Sequence, residues 1–363
     1  MAWHVRGVVL PEDVERDLWL VGDRVTYEPV RGAQTIAESG FILPGLVDAH
    51  CHIGIRPGGE PVESTAQARA LAVVDRDAGV LALRDAGSPH PYPELDEDPE
   101  MPRLARAGRH VAPVRRYLRD IGVEVEAAQL ATTVTAQAAA GNGWVKLVGD
   151  WIDRGTGDLA PAWEPAAMAA AVAAAHAAGA RVAAHLFAEE SVAALVRAGV
   201  DSVEHGTGLS DEDIAEMAAR GTALVPTMIN VARFEEIAAA ADAKFPRYAA
   251  HMRHLRDRFP AVVAAAHDAG VPIYVGTDAG GGIGHGEAVA EMLRLRERAG
   301  MSNLDVLRAG SWGARQWLGF PGLVEGGLAD LVVYDDDPRV DLAALRSPRL
   351  VVLRGMPRRH PSP

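Results

Sequence analysis

Residues 178–227 read AGARVAAHLFAEESVAALVRAGVDSVEHGTGLSDEDIAEMAARGTALVPT. Three times in this stretch an Ala-rich run meets Gly, at Gly179, Gly199 and Gly221. Each time a short apolar run follows: ARVAAH, VDSVEH and TALVPT. Gly after a helix is a stop signal, because that position favours a left-handed backbone. A short apolar run between helices reads as a buried parallel strand. Helix, Gly, strand, repeated, implies a parallel sheet with helices outside it.

The unit extends in both directions. Gly79 precedes VLALRD and Gly270 precedes VPIYVGTD. Strands are predicted at 46–50, 80–85, 110–115, 143–148, 181–185, 201–205, 222–227 and 271–278. Eight such units suit a (β/α)8 barrel, an α/β TIM barrel of ~250 residues. The chain ends differ. Residues 1–45 carry alternating stretches such as DLWLVGDRVTYEPV, and 320–363 carry ADLVVYDDDP and PRLVVLRG. These segments are expected to join in one small, discontinuous β-sandwich domain beside a barrel of 46–319. RRHPSP, at the end, reads as a disordered tail.

Composition narrows the function. The 363 residues carry a net charge of -13, which disfavours nucleic acid. The densest basic stretches, Arg103 to Arg119 and Met356 to Arg359, are broken or short. Cys51 is the single cysteine, so neither an intrachain disulfide nor a Cys-rich zinc site can form. No signal-like apolar run and no membrane-length span is visible, so a cytoplasmic chain that avoids membranes is the expectation. A small-molecule substrate fits this profile, and a homo-oligomer stays open.

Polar residues fall where barrels place their active sites, at the C-terminal strand ends. His50 and His52 lie two apart on strand one, so both face one side. Cys51 should point the other way, as a small buried apolar residue. His185 ends strand five, His205 strand six and Asp278 strand eight. A buried group of imidazoles without an ion would leave polar atoms unpartnered. Lys146 stands inside the apolar WVKLV. It either pairs with an acid such as Asp150 or loses its charge by burial. A neutral amine can add CO2 to give a carbamate, a two-oxygen metal ligand. Asp278, in VGTDAGGG, is either a helix N-cap or a mouth carboxylate, and the following glycines favour the second.

Further candidates are His110, Arg115, Arg116 and Tyr117 for an anionic substrate. Trp151, Asp153, Phe187, Thr227, Asn230 and His285 are candidate pocket residues. Asp85 is expected to steady a His ligand from behind. His176, His251, His254 and His267 are expected at the surface. Glu291, Arg294, Arg296 and Glu297 read as a solvated or internally paired helix face.

Taken together, LPGLVDAHCHIGI, WVKLV, VAAHL, SVEHGTGLSDEDIAEMAARGTALVPT and VGTDAG resemble the amidohydrolase superfamily. The resemblance is to its imidazolonepropionase-like and Xaa-Pro dipeptidase (prolidase-like) branch. It implies two divalent ions, with zinc suited and manganese, iron or cobalt admitted. It implies that His50, His52 and Asp278 hold one ion, that His185 and His205 hold the second, and that carbamylated Lys146 bridges them. A metal-bridged hydroxide would then attack a C–N amide or related bond, with Asp278 shuttling the proton. Prolidase-like relatives often carry Tyr where this chain has Phe187, and the segment GRHVAPVRRYLRD lacks the expected Gly-rich, His-containing pattern. A small-molecule amide is therefore favoured over peptide bonds of proteins. The alternatives are a mononuclear deaminase or cyclic-amide hydrolase, a lactonase, or a catalytically silent binding barrel.

Overall fold

The computed structural model describes residues 1–118 and 120–358. Arg119 of the basic stretch and 359–363 of the expected tail lie outside the described residues. Leu46–Cys51, Val80–Asp85 and Arg103–Arg106 form one parallel run. Val111–Pro113, Trp144–Val148, Arg181–Leu186, Ser202–His205 and Ala223–Val225 form a second. An isolated parallel bridge, Ala107 to Trp144, joins the two runs. The helices between the strands pack outside, and the whole is an α/β TIM barrel.

Two strands differ from expectation. The third was expected at 110–115. It is two pieces, Arg103–Arg106 and Val111–Pro113, broken at Gly108 and Arg109. The first piece pairs with strand two, and the second pairs with strand four, Val111 opposite Leu147. The eighth, expected at 271–278, is not a regular strand. It still closes the ring: Tyr274 N donates to Leu224 O on one side, and Ala49 N donates to Val275 O on the other. Gly276 lies against strand one so closely that a Cβ there would stand 2.8 Å from the His50 Cβ. Such crowding replaces a uniform ladder with single bonds.

Local signals set the helix ends. Ser64 caps helix Thr65–Asp77, and Ser210 with Asp213 forms a capping box for Asp211–Arg220. Gly199 and Gly221 end their helices at φ 93° and 71°, the left-handed region in which Gly has no Cβ to clash.

Both chain ends share a second sheet. Its order is Met356–Arg358, Leu350–Leu353, Leu331–Tyr334, Phe41–Pro44, Ala2–Val9, Val14–Val21 and Arg24–Thr26, with Gln34–Ala37 beside Ala2–Val9. Arg24–Thr26 returns to the chain before Leu331, since Val25 N donates to Gly327 O. The sheet thus curls around its own core of Val5, Leu18, Leu20, Ile42, Leu331 and Val352. Each such side chain contributes about 1.5–3 kcal/mol on burial. Among the described residues no helix is long and apolar enough to cross a membrane.

Candidate metal centre

His50, His52 and Asp278 bring ligand atoms within 4.8 Å of one another. His50 and His52 leave strand one on the same side, as the two-residue spacing requires. Their Nε2 atoms stand 3.2 and 3.0 Å from Asp278 Oδ1. The outer nitrogens lie against oxygens. His52 Nδ1 donates to Gly87 O at 2.7 Å, and His50 Nδ1 lies 2.6 Å from the Glu204 Oε2 carboxylate oxygen, a close charge contact outside hydrogen-bond geometry. A ring held through Nδ1 presents Nε2 inward, the arrangement of a metal-ligating imidazole.

His205 repeats the pattern, with Nδ1 2.7 Å from Thr227 Oγ1. Its ring is 5.2 Å from that of His50 and 4.7 Å from that of His185. His185 Nε2 is buried with no hydrogen-bond partner among the described residues, and its nearest carboxylate, Asp150, is 4.0 Å away. Burial pushes His205 down to about 3. Burial, then His205 and Lys146, hold His185 well below the imidazole range. Both rings are therefore neutral near pH 7, the form that binds metal.

Lys146 is buried, and its Nζ lies 3.4 Å from His50 Nε2. Burial pushes its pKa down to about 8. The alternative, a pairing with Asp150, does not form among the described residues. Asp150 accepts instead from the backbone N–H groups of Phe187 and Ala188. For Asp278, burial works to raise the pKa, but His50 and His52 outweigh it and hold the carboxylate well below its usual range. Asn230 Nδ2 donates to the other oxygen at 2.7 Å.

All six residues open on one cavity of about 340 Å³. Tyr117, Trp151, Phe187 and His110 line it. His110 is held neutral by burial first, then by His52 and Lys146.

A model of the amidohydrolase family matches residues 41–356. The chain belongs to the amidohydrolase family. An uncharacterized protein of Mycobacterium tuberculosis is 51% identical over 353 residues, covering 97% of this chain and 94% of that one. A solved Xaa-Pro dipeptidase with methionine in its active site superposes with TM-score 0.82 at 21% identity, over 99% of this chain and 100% of that one. Aspergillus niger ochratoxinase superposes with TM-score 0.80 at 19% identity, over 98% and 94%. The fold is thus that of the prolidase-like amidohydrolases, and the chain is a metal-dependent hydrolase acting on C–N bonds.

Other residues of this amidohydrolase fall elsewhere than the sequence suggested. Thr227 is spent behind His205 and does not line the cavity. His285 is buried against Asp75 at 2.6 Å, where it ties the Gly-rich loop to helix Thr65–Asp77. Arg116 donates to the carbonyls of Trp151, Ala160 and Pro161, so it braces a hairpin. Arg115 donates through its backbone to Glu124, and Asp153 caps the turn at Gly155 and Thr156. Asp85 acts one step removed: it accepts from Gly87 N, and the Gly87 carbonyl holds His52. His176 and His254 are exposed, whereas His251 is half-buried between Asp158 and Glu189, and His267 is half-buried too. Glu291 is not on a solvated face. It is fully buried, accepts from Met228 N and Ile229 N, and is pushed up to about 8 by burial.

Sequence reasoning missed Glu204 and Arg84. Glu204 precedes His205 and should face away from it on a regular strand. His205 instead adopts φ 65°, which breaks the alternation, so both residues come to His50. The available signal was an acid inside the apolar SVEH. Sparsely populated backbone of this kind costs about 1–3 kcal/mol and clusters at working sites. Asp278 shares it, at φ 61°.

Proposed function

We propose that this amidohydrolase cleaves an amide bond of a small molecule at a centre for two divalent ions, zinc by the chemistry of the donors. His50, His52 and Asp278 would hold one ion and His185 and His205 the other, with Lys146 reaching both as its carbamate. The donor set supports the reading: four neutral or outward-tied imidazoles, one ionised carboxylate and one lysine of lowered pKa meet in one cavity. The ions would supply a water of lowered pKa and polarise the substrate carbonyl.

The protein's own groups do the rest. Neutral Lys146 forms a C–N bond to CO2 and releases a proton to solvent. Asp278, ionised and oriented by Asn230, takes a proton from the attacking water and passes it to the leaving nitrogen. The aromatic wall of Tyr117, Trp151 and Phe187 excludes bulk water from that transfer. The same reading divides the chain into 46–319 for catalysis and 1–45 with 320–363 for the sheet of both ends.

The observation that carries the proposal is the outward anchoring of His52 and His205, with the Glu204 carboxylate behind His50, around buried Lys146. The test is metal content, in protein prepared without chelator, together with a hydrolysis screen of N-acyl amino acids, dipeptides, cyclic amides and lactones. About two ions per chain are expected. Lys146→Ala should lose the second ion and most turnover. Full activity with two ions in that variant would sink the binuclear reading.

A further inference from the structure

The cavity wall beyond the metal residues is mostly apolar, with Tyr117, Leu118, Trp151, Phe187, Ile237 and Tyr248 on it. Apart from Lys146, Arg233 is the one Lys or Arg among the described lining residues. Its partner is Glu236 at 3.1 Å, whose side chain is 68% exposed. An exposed pair three residues apart on a helix is worth only a few tenths of a kcal/mol. A ligand anion can therefore take the place of Glu236.

The seat of Arg233 is built. Its guanidinium lies over Gly282, where any Cβ would collide with it. Gly282 also lines the cavity. The placement relative to the reacting acid is set by one turn of chain. Arg233 N donates to Asn230 O at 2.9 Å, and the Asn230 side chain holds Asp278. Arg233 thus stands about one turn, ~5 Å, beyond the residue that touches Asp278.

We propose that Arg233, seated by Gly282, binds a substrate carboxylate, and that the ligand class is an N-acylated α-amino acid with an apolar or aromatic side chain. A planar guanidinium pairs with a carboxylate through two parallel hydrogen bonds. An α-carboxylate lies two bonds from the amide nitrogen, so it can reach Arg233 while the amide faces Asp278. Phe187 has no hydroxyl to offer an anion, and beyond Lys146 the positive charge among the described lining residues is that of Arg233. The orientation rests on the amide-hydrolase reading; the carboxylate contact does not.

The experiment is calorimetric titration of the zinc-loaded enzyme with N-acetyl-L-phenylalanine and with N-acetyl-L-phenylalaninamide, which lacks the charge. Saturable heat reports binding, and sustained heat reports turnover. The acid should half-saturate at a concentration about ten-fold below the amide. Arg233→Met should erase that preference by weakening the acid alone, and Arg233→Lys should restore part of it. Gly282→Ala displaces only the end of a flexible side chain, so it should keep the fold and copy Arg233→Met. Equal binding of acid and amide by the wild type overturns the proposal, as does a preference that survives Arg233→Met. An Arg233-dependent preference without turnover of either compound supports the carboxylate site and counts against the amide-hydrolase reading.

Discussion

Arg84 and Arg315 have no exposed surface, and each meets a carboxylate that has none. Arg84 lies beneath the metal centre. It donates to Ala49 O at 2.5 Å, Ser202 Oγ at 3.1 Å and Glu204 Oε2 at 2.6 Å, and it packs over Trp144. Glu204 in turn lies against His50. Arg315 lies where the barrel meets the sheet of the chain ends. Its carboxylate, Asp330, also accepts from the Arg103 side chain and from Arg354 N. The chemistry is the same, but the first assembly ends on a candidate metal ligand and the second ends on structure alone. A buried ion pair is not in itself a sign of function. What the carboxylate touches next decides its role.

The comparison can be broken most decisively at Asp330. Asp330→Ala takes the carboxylate away from buried Arg315, whose Nε and Nη1 already lack partners among the described residues. The expected loss is about 3–5 kcal/mol in denaturant unfolding, with turnover per folded molecule unchanged. A fall in turnover at full folding would show that the two assemblies are not distinct. At the other assembly, Glu204→Gln should weaken metal affinity by about 10–100-fold, read by chelator competition. Unaltered affinity would make Glu204 as structural as Asp330.

Ser202 sharpens the contrast. Its hydroxyl donates to Glu204 Oε1 at 2.5 Å and accepts from Arg84. Ser202→Ala should cost about 1–3 kcal/mol, since a buried donor loses its acceptor. The smallest effect is expected where the charges are wet. His251 sits between Asp158 and Glu189 with a side chain 22% exposed, and its hydrogen bond to Glu189, against the cost of burial, raises its pKa from 6.5 to about 9. A raised folded pKa means that the stabilisation is complete below pH 6.5 and is lost as pH rises through 9. Wild type should lose about 1 kcal/mol across that window relative to His251→Gln, screening having reduced it from the buried limit. Parallel stability–pH curves for the two proteins would refute the pairing.

How much was legible in the sequence follows from what each feature depends on. His50, His52, His185, His205 and Asp278 could be placed because strand ends are local signals, and a barrel brings strand ends together. Lys146 stood out as a charge inside an apolar strand. The broken third strand and the irregular eighth were not legible as such. Their form depends on partners far along the chain, such as the bonds Tyr274 and Val275 make to strands seven and one. Glu204 was hidden by the alternation rule, which fails only because His205 is left-handed. Arg233 was hidden for another reason. Nothing near it in sequence marks it, and its seat is a glycine from a different loop.

The shared sheet bears on how this chain is made. Phe41–Pro44 pairs with Leu331–Tyr334, so the early strand has no permanent neighbour on that side until nearly the whole chain has left the ribosome. At ~5–20 residues per second, that delay is about 15–60 s. Throughout it an apolar strand edge stands open on a nascent polypeptide. The burden on cellular holdases should therefore fall on the Phe41–Pro44 strand, and slower translation should lengthen it.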